Sequence, residues 1–294
     1  MILTAYYDLA VSPPTFNFFD FLLVAESKRI ELGCSRMRVR ILPGPVDGFR
    51  RDRLPPYGGD ERGRWLENIC MRMPELLPSC GEPAQMDDGK AFTDGPSMGR
   101  GEYLVGFHTN VRAARGGLAP FIGVSKLTNR YRAKHGRYVT ITMRESAWYK
   151  SRQSHLENWL PAALATKALG YQVVFVRDAA KSDEAVPGFR IEPDASKRIV
   201  ERASLYAGAE MNLGISNGPM WFAWFMGVPV AIFNLVHSDE PYTSADTFKA
   251  CGLPLGEQLP NARPRQRLVW GKDTPETIVE TFRDLMGEAL SERA

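Results

Sequence analysis

The stretch EMNLGISNGPMWFAWFMGVPVAIFN, residues 210–234, decides the fold. Residues 211–215 form a short apolar run that ends at a turn cluster, Ser216-Asn217-Gly218-Pro219, and this pattern predicts a strand followed by a tight loop. Residues 220–226 are apolar on all sides, which predicts a helix buried between a sheet and another layer. Pro219 suits the first turn of this helix, a glycine ends it, and residues 228–233 predict a second strand.

The turn between the first strand and the helix is the first candidate for a ligand site. Backbone N–H groups and small polar side chains at a helix N-terminus attract anions through their geometry and the helix dipole. We therefore expect a ligand at Ser216 to Pro219, with a positive φ at Gly218 where the backbone approaches the ligand. The alternative is an ordinary buried β-α-β unit with a turn at its top, because this turn is not a specific motif.

The rest of the second half repeats the same alternation of strands and helices. Strands are predicted over 138–143 and 171–176, and helices over 154–169 and 195–206, which gives a second doubly wound unit over residues 138–234. The two strands lead directly into Arg144 and Asp178 respectively. Since parallel sheets bind ligands at the carboxyl ends of their strands, both residues are candidates for ligand contact.

The first half begins in the same way, with a strand over 2–7, a helix over 16–32 and a strand over 37–42. An amphipathic helix is predicted from Glu61 to Leu77. Asp8 follows the first strand, and His108 follows another predicted strand over 103–107. Either side chain is a candidate general base, and a loop carboxylate or a structural histidine is the alternative. A basic stretch that runs to Lys134 marks the predicted junction between domains 1–135 and 136–294.

Composition places the chain among ordinary soluble globular proteins. It has 294 residues, 44% hydrophobic and 24% charged, and its net charge of +3 is too small to indicate nucleic acid binding. The four cysteines are scattered, which favours reduced thiols over a zinc site or a disulfide framework. We expect no signal peptide and no membrane span, and hence a cytoplasmic protein.

Several common cofactor and catalytic motifs are missing from the sequence. No G-x-G-x-x-G or G-x-x-x-x-G-K-[ST] motif occurs, which disfavours dinucleotide enzymes and P-loop NTPases. A D-x-D motif of metal-dependent transferases is also missing. We therefore expect an anionic ligand that is bound without a metal ion and without a cofactor.

The strand, Gly-Pro turn, apolar helix and G-V-P-V strand of residues 210–234 resemble the donor-binding segment of GT-B glycosyltransferases. The strand V-T-I-T-M-R, which ends at Arg144, is similar to the first donor-domain strand of heptosyltransferase-like and fucosyltransferase-like enzymes. The resemblance covers roughly residues 138–270 and the N-terminal half only in outline. It implies an α/β protein with two Rossmann-like doubly wound domains that face each other across a cleft.

The resemblance also implies the roles of individual residues. The loop from Ser216 to Pro219 would contact the phosphates or ribose of a nucleotide sugar, and Arg144 would meet the diphosphate. A surface salt bridge to Glu145 or Asp178 is the alternative role of Arg144. Asp178 would lie near the nucleotide, although capping of the following turn is its alternative role. Asn234 begins a loop that would flank the nucleotide.

The activity implied is transfer of a sugar from a nucleotide-sugar donor, a co-substrate, to a hydroxyl of a glycan or small molecule, as in bacterial polysaccharide biosynthesis. Arg144 and the N–H groups of the loop would stabilise the leaving nucleoside diphosphate. Asp8 or His108 would accept the proton of the acceptor. Two alternatives stay open: a nucleotide-sugar epimerase of the same fold, and a binding module without catalysis.

Overall fold

The computed structural model describes residues 1–51, 59–88, 95–98, 109–124, 127, 130–146, 152–237 and 243–291. The chain divides into two compact units, Met1–Gly123 and Val124–Ala294. This division lies before the predicted junction at 135/136, because the helix Arg130–His135 is tied by its side chains to Glu192, Glu201 and Glu210 of the second unit. The basic stretch therefore opens the second unit rather than closing the first.

The first unit contains a four-stranded parallel sheet in the order β3-β2-β1-β4. Its strands are β1 Ile2–Asp8, β2 Arg36–Leu42, β3 Gln85–Met86 and β4 Ser97–Met98, and its helices are α1 Asn17–Glu31, α2 Gly59–Trp65 and α3 Thr109–Arg115. The long helix predicted from Glu61 to Leu77 is interrupted. A π-turn follows α2, and Pro74, which has no N–H to continue an α-helix, lies in a short 3-10 helix.

The second unit contains a six-stranded parallel sheet in the order β10-β9-β8-β5-β6-β7. The strands are β5 Tyr138–Thr142, β6 Gln172–Val176, β7 Arg190–Ile191, β8 Met211–Ile215, β9 Val230–Phe233 and β10 Gln266–Leu268. The helices are α4 Arg130–His135, α5 Leu156–Ala168, α6 Pro193–Lys197, α7 Ile199–Gly208, α8 Gly218–Met226, α9 Ala245–Ala250 and α10 Pro275–Ser291. The single helix predicted over 195–206 is two helices, separated by an extended residue at Arg198.

The strand order of the second sheet reverses direction at its centre. From β5 the chain builds outward through β6 and β7, and it then returns to the other side of β5 to build β8, β9 and β10. Loops that leave neighbouring strands at such a switch point diverge, and the crevice between them is the usual ligand site of a doubly wound sheet. The two sheets confirm the predicted α/β class with two Rossmann-like units.

Helix α8 is the most deeply buried helix segment around this switch point. All seven residues from Met220 to Met226 are buried, as their apolar character on every side predicts. Gly227 ends the helix with a left-handed backbone, φ +71°, as a C-cap glycine should. Gly214 lets α8 approach the sheet, because a Cβ atom there would lie 2.9 Å from the Met220 sulfur and 2.9 Å from the Thr142 carbonyl oxygen.

No helix in the described part of the chain is both long and apolar enough to cross a membrane.

Candidate functional site

The candidate site lies at the carboxyl ends of β5 and β8, which are neighbours in the sheet. Thr142 pairs with Gly214 in the parallel ladder, so Arg144 and Ser216, each two residues further on, leave the sheet at the same edge. This is the switch point of the second sheet. The structure thus brings Arg144 and the Ser216–Pro219 loop to one place.

Several polar groups of the loop before α8 form hydrogen bonds with α8 itself. The Asn217 side-chain oxygen accepts a hydrogen bond from the Met220 N–H at 3.0 Å and so caps the helix. The Ser216 hydroxyl is buried and accepts a hydrogen bond from the indole N–H of Trp221 at 3.3 Å. The prediction of a positive φ at Gly218 is wrong, since Gly218 is the first residue of α8 and the left-handed glycine lies at the opposite end of the helix.

These contacts limit the number of backbone donors that a ligand would meet at α8. Pro219 has no N–H, and the N–H groups of Met220 and Trp221 are bound to Asn217. Of the first residues of α8, Gly218 has an N–H that these contacts do not use and that a ligand could bind. A negatively charged ligand at this edge would therefore be stabilised mainly by nearby side chains and by the helix dipole.

Arg152 is a residue of this site that sequence reasoning missed. Its guanidinium donates a hydrogen bond to the Ser216 carbonyl oxygen at 3.1 Å, directly before the start of α8. Arg152 belongs to the connection between β5 and α5, which leaves the sheet at the switch point. That position is the signal in the sequence that could have identified it, because basic residues in such a connection face the ligand crevice.

Arg144 is anchored at this edge through its backbone. Its N–H donates to the Ser154 hydroxyl at 2.9 Å, and its carbonyl oxygen accepts from the Ser154 N–H at 2.8 Å. Its side chain is partly exposed. Of the two acids proposed as its structural partners, Glu145 forms a buried ion pair with Arg177, with a distance of 3.0 Å from Nε to Oε2. This pair raises the pKa of the Arg177 guanidinium.

Asp178 caps the short helix that follows β6. One carboxylate oxygen accepts from the Ala179 N–H at 2.9 Å, and the other accepts from the Glu145 N–H at 3.3 Å. Both oxygens thus hold backbone in place between the ends of β5 and β6. This geometry matches the alternative role, and contact with a nucleotide stays a prediction.

Asn234 has an unusual backbone at the carboxyl end of β9. Its φ is +51°, in the left-handed region that few residues other than glycine adopt. The Asn234 N–H donates to the Gly271 carbonyl at 3.2 Å, and the Asn234 carbonyl accepts from the buried ring of His237 at 3.0 Å. His237 is a second residue that sequence reasoning did not single out. Strained backbone of this kind is common at ligand sites.

The first unit holds the candidate bases. Asp8 is buried at the end of β1, and its carboxylate accepts a hydrogen bond from the Ala10 N–H at 2.8 Å, which closes the following turn. His108 lies outside the described residues, as does the strand predicted before it. The structure adds Asp20, in the first turn of α1, which forms no hydrogen bond or ion pair in the part of the chain that the structure describes. Burial raises the pKa of Asp20 to about 8, although its side chain keeps some contact with solvent.

The described ranges contain no group of three or more His, Cys, Asp or Glu side chains placed to hold a metal ion.

Comparison with solved structures identifies the fold. The Escherichia coli ADP-heptose LPS heptosyltransferase II superimposes with a TM-score of 0.51 over all of this chain and 99% of its own, at 10% sequence identity. TibC, an iron-containing dodecameric glycosyltransferase from enterotoxigenic E. coli, gives a TM-score of 0.51 over 98% of this chain and 77% of its own, at 13% identity. No protein-family model matches the sequence, and no curated protein matches it. With its two Rossmann-like units and these structural neighbours, the chain has the GT-B fold of glycosyltransferases.

Proposed function

We propose that this protein is a glycosyltransferase that moves a sugar from a nucleotide-sugar donor to a hydroxyl of a glycan or small molecule, without a metal ion. The observation that carries the proposal is the meeting of Arg144, Arg152 and the start of α8 at the switch point of the second sheet. The ADP-heptose named for the heptosyltransferase neighbour supports a nucleoside diphosphate sugar as the donor class.

Arg144 and Arg152 would bind the diphosphate of the donor. A guanidinium group offers paired N–H donors to phosphate oxygens and keeps its charge at any physiological pH. Negative charge grows on the leaving phosphate as the glycosidic bond breaks, so cations fixed beside it favour the transition state. The dipole of α8 and the N–H of Gly218 would add to this effect.

A carboxylate or imidazole of the first unit would accept the proton of the acceptor hydroxyl. As the bond from the anomeric carbon to phosphate breaks, the acceptor oxygen forms a new bond to that carbon and its proton passes to the base. Asp8 and His108 are the candidates from the sequence, and Asp20 is the candidate from the structure. Asp20 lies in the first turn of α1, the helix that follows β1 and Asp8, and a base whose raised pKa is close to the working pH transfers protons efficiently.

The test is a thermal-shift screen against UDP-, GDP-, dTDP-, CMP- and ADP-sugars, followed by assays of the ligands that raise the unfolding temperature. Slow release of the nucleoside phosphate is expected for a transferase without its acceptor. A change in the identity of the sugar would instead indicate an epimerase. Tight binding without any turnover, across the full set of donors and acceptors, would indicate a binding module.

The donor sugar, the acceptor, a cytoplasmic location and a part in bacterial polysaccharide synthesis stay predictions.

A further inference from the structure

A continuous basic surface lies on the second unit, away from the carboxyl ends of β5 and β8. It includes α4 and the amino ends of several strands. We call it the basic rim and define it by seven residues: Arg130, Arg132, Lys134, Arg137, Lys167, Arg190 and Arg265. The proposed glycosyl transfer uses none of them.

Side-chain and backbone contacts join these residues into one surface. Arg132 and Arg137 lie 2.7 and 3.9 Å from the Glu210 carboxylate, and Arg265 donates to the Glu210 carbonyl at 3.4 Å. The Gln172 N–H donates to the Arg137 carbonyl at 2.9 Å, which places the start of β6 beside Arg137. The rim thus crosses the sheet at the start of its strands.

A shallow groove continues the rim beside β6 and β7. Its volume is about 270 Å³, and it is lined by Lys167, Gln172, Val173, Gly188, Phe189 and Arg190. Arg190 is exposed and forms no ion pair in the described part of the chain. The pKa of His135 in α4 is lowered by burial and also by the charge of Arg190, so this end of the groove adjoins the helix.

The rim presents cations to solvent while its acids lie inside. Glu192, Glu201 and Glu210 have side chains that are only 6, 18 and 7% exposed. Four cations surround these acids, namely Arg130, Arg132 and Lys134 of α4 and Arg137, which follows the helix. Their side chains are 48–59% exposed. The three acids hold the cations in place and offset part of their charge, but the seven cations of the rim outnumber them and the paired cations are the more exposed groups, so the outer surface is positive.

Three cations of the rim form cation–π contacts with aromatic rings. The guanidinium of Arg130 lies 4.8 Å from the centre of the Tyr131 ring, that of Arg137 lies 4.7 Å from Tyr171, and the Lys167 ammonium lies 5.6 Å from Phe189. Such cation–π contacts hold long side chains in defined positions. They also cover the rings, so these rings do not offer the open stacking platforms that bind nucleic acid bases.

We propose that the basic rim docks the protein onto the surface of an anionic lipid bilayer. Clusters of four to eight Lys and Arg residues bind anionic lipids by electrostatic attraction. Leu169, beside Lys167 at the end of α5, is 52% exposed and supplies an apolar side chain that can enter the headgroup region. The long cationic side chains keep their charges at the headgroup level.

The experiment is co-sedimentation of the full chain with vesicles of phosphatidylcholine, with and without phosphatidylglycerol. The protein should bind the vesicles that contain phosphatidylglycerol and leave neutral vesicles, and added salt should release it because screening weakens surface attraction. The double change Lys167→Gln and Arg190→Gln should weaken the partition coefficient about 30-fold, since each cation near the surface contributes about fivefold. Neither residue pairs with a buried acid among the described residues, so the fold should stay intact.

The charge-matched control is the double change Arg38→Gln and Lys249→Gln, which removes two exposed cations outside the rim and should bind like the parent protein. If the first double variant unfolds at a lower temperature, Arg190→Gln alone, with an expected fivefold loss, replaces it. Three outcomes would overturn the proposal. The protein could bind neutral vesicles equally well, or the rim and control variants could lose the same affinity. The protein could also bind RNA or an acidic protein without binding vesicles. None of these outcomes bears on donor binding, which the nucleotide-sugar screen tests separately.

Discussion

At the scale of single residues, Arg152 and Arg144 bring positive charge to the start of α8. The backbone donors of α8 are largely used by its own cap, so these two side chains should dominate the binding of a diphosphate. Arg152→Ala and Arg144→Ala should each weaken nucleoside diphosphate binding by about 1.5–3 kcal/mol, the usual contribution of a charged hydrogen bond. Calorimetric titration with the nucleotide that stabilises the protein most would measure this.

Lys249→Ala is the matched control, since it removes an exposed cation of the same unit from outside the site. Its affinity should equal that of the parent protein. If both arginine variants also kept the parent affinity, the diphosphate would have to bind elsewhere.

Asp20 gives a pH-dependent prediction at the same scale. Its pKa is raised from 3.8 to about 8 in the folded state, so between these values the folded protein holds a proton that the unfolded chain has released. The free energy of unfolding should therefore fall as the pH rises through this range, by about 1.4 kcal/mol per pH unit for this group. Asp20→Asn removes the titration, so its stability relative to the parent should increase from pH 4 to pH 8.

Denaturant unfolding at a series of pH values would measure this difference, with Glu31→Gln as the control for loss of a carboxylate from the same helix. If Asp20 is also the base, Asp20→Asn should abolish turnover while donor affinity stays unchanged. If the free energies of unfolding of the parent and of Asp20→Asn changed with pH in parallel, the carboxyl group of Asp20 would not be desolvated.

The residues that the sequence could reveal are those that follow a strand directly. The common position of Arg144 and Ser216 could be predicted because a strand end in a parallel sheet has a known place, and their contact with a ligand stays a prediction. Arg152 was missed because its contact with Ser216 depends on the path of a longer connection. Asp20 was missed because its pKa depends on what the rest of the fold places around it, which no local pattern records.

At the scale of secondary structure elements, the contact of α8 with the sheet depends on Gly214. A methyl group there would lie 2.9 Å from both the Met220 sulfur and the Thr142 carbonyl oxygen, closer than packed atoms normally approach. Gly214→Ala should therefore push α8 away from β8 and destabilise the protein by about 1–3 kcal/mol, as overpacked cores do. Because the same shift moves the start of α8, nucleotide affinity should fall as well.

Chemical unfolding and the calorimetric titration described above would measure the two effects. Gly63→Ala is the control, since its added methyl group would meet no atom of the described residues within 4 Å. An unchanged stability of Gly214→Ala would mean that the helix can shift without cost.

The elements themselves were predicted best where periodicity and end signals agree. Strand β8, helix α8 and the C-cap at Gly227 follow from the apolar runs and turn residues of a single stretch. The helix predicted over 61–77 was too long because its amphipathic pattern continues through Pro74, where a continuous α-helix cannot. The left-handed backbone at Asn234 was not predicted, because it depends on contacts with Gly271 and His237.

At the scale of the whole molecule, the fold class followed from the order of elements. Alternating strands and helices without glycine fingerprints indicate two doubly wound units, and the two parallel sheets bear this out. The basic stretch that runs to Lys134 marked the predicted junction at 135/136, which stays a prediction. Its charges in fact pair with buried acids that are distant in the sequence, and only the folded second unit brings these groups together.

The last prediction concerns the charge balance of the proposed reaction. Metal-dependent transferases neutralise the leaving diphosphate with a divalent cation held by acidic residues, and the sequence has no D-x-D motif for that purpose. Here Arg144 and Arg152 should supply the positive charge instead, so EDTA should leave both nucleotide affinity and any turnover unchanged. Calorimetry and product release with and without chelator measure this, and the unfolding temperature controls for damage by EDTA. Activity that disappeared with EDTA and returned with magnesium or manganese would assign the charge stabilisation to a metal ion, and the two arginines would then have a different role.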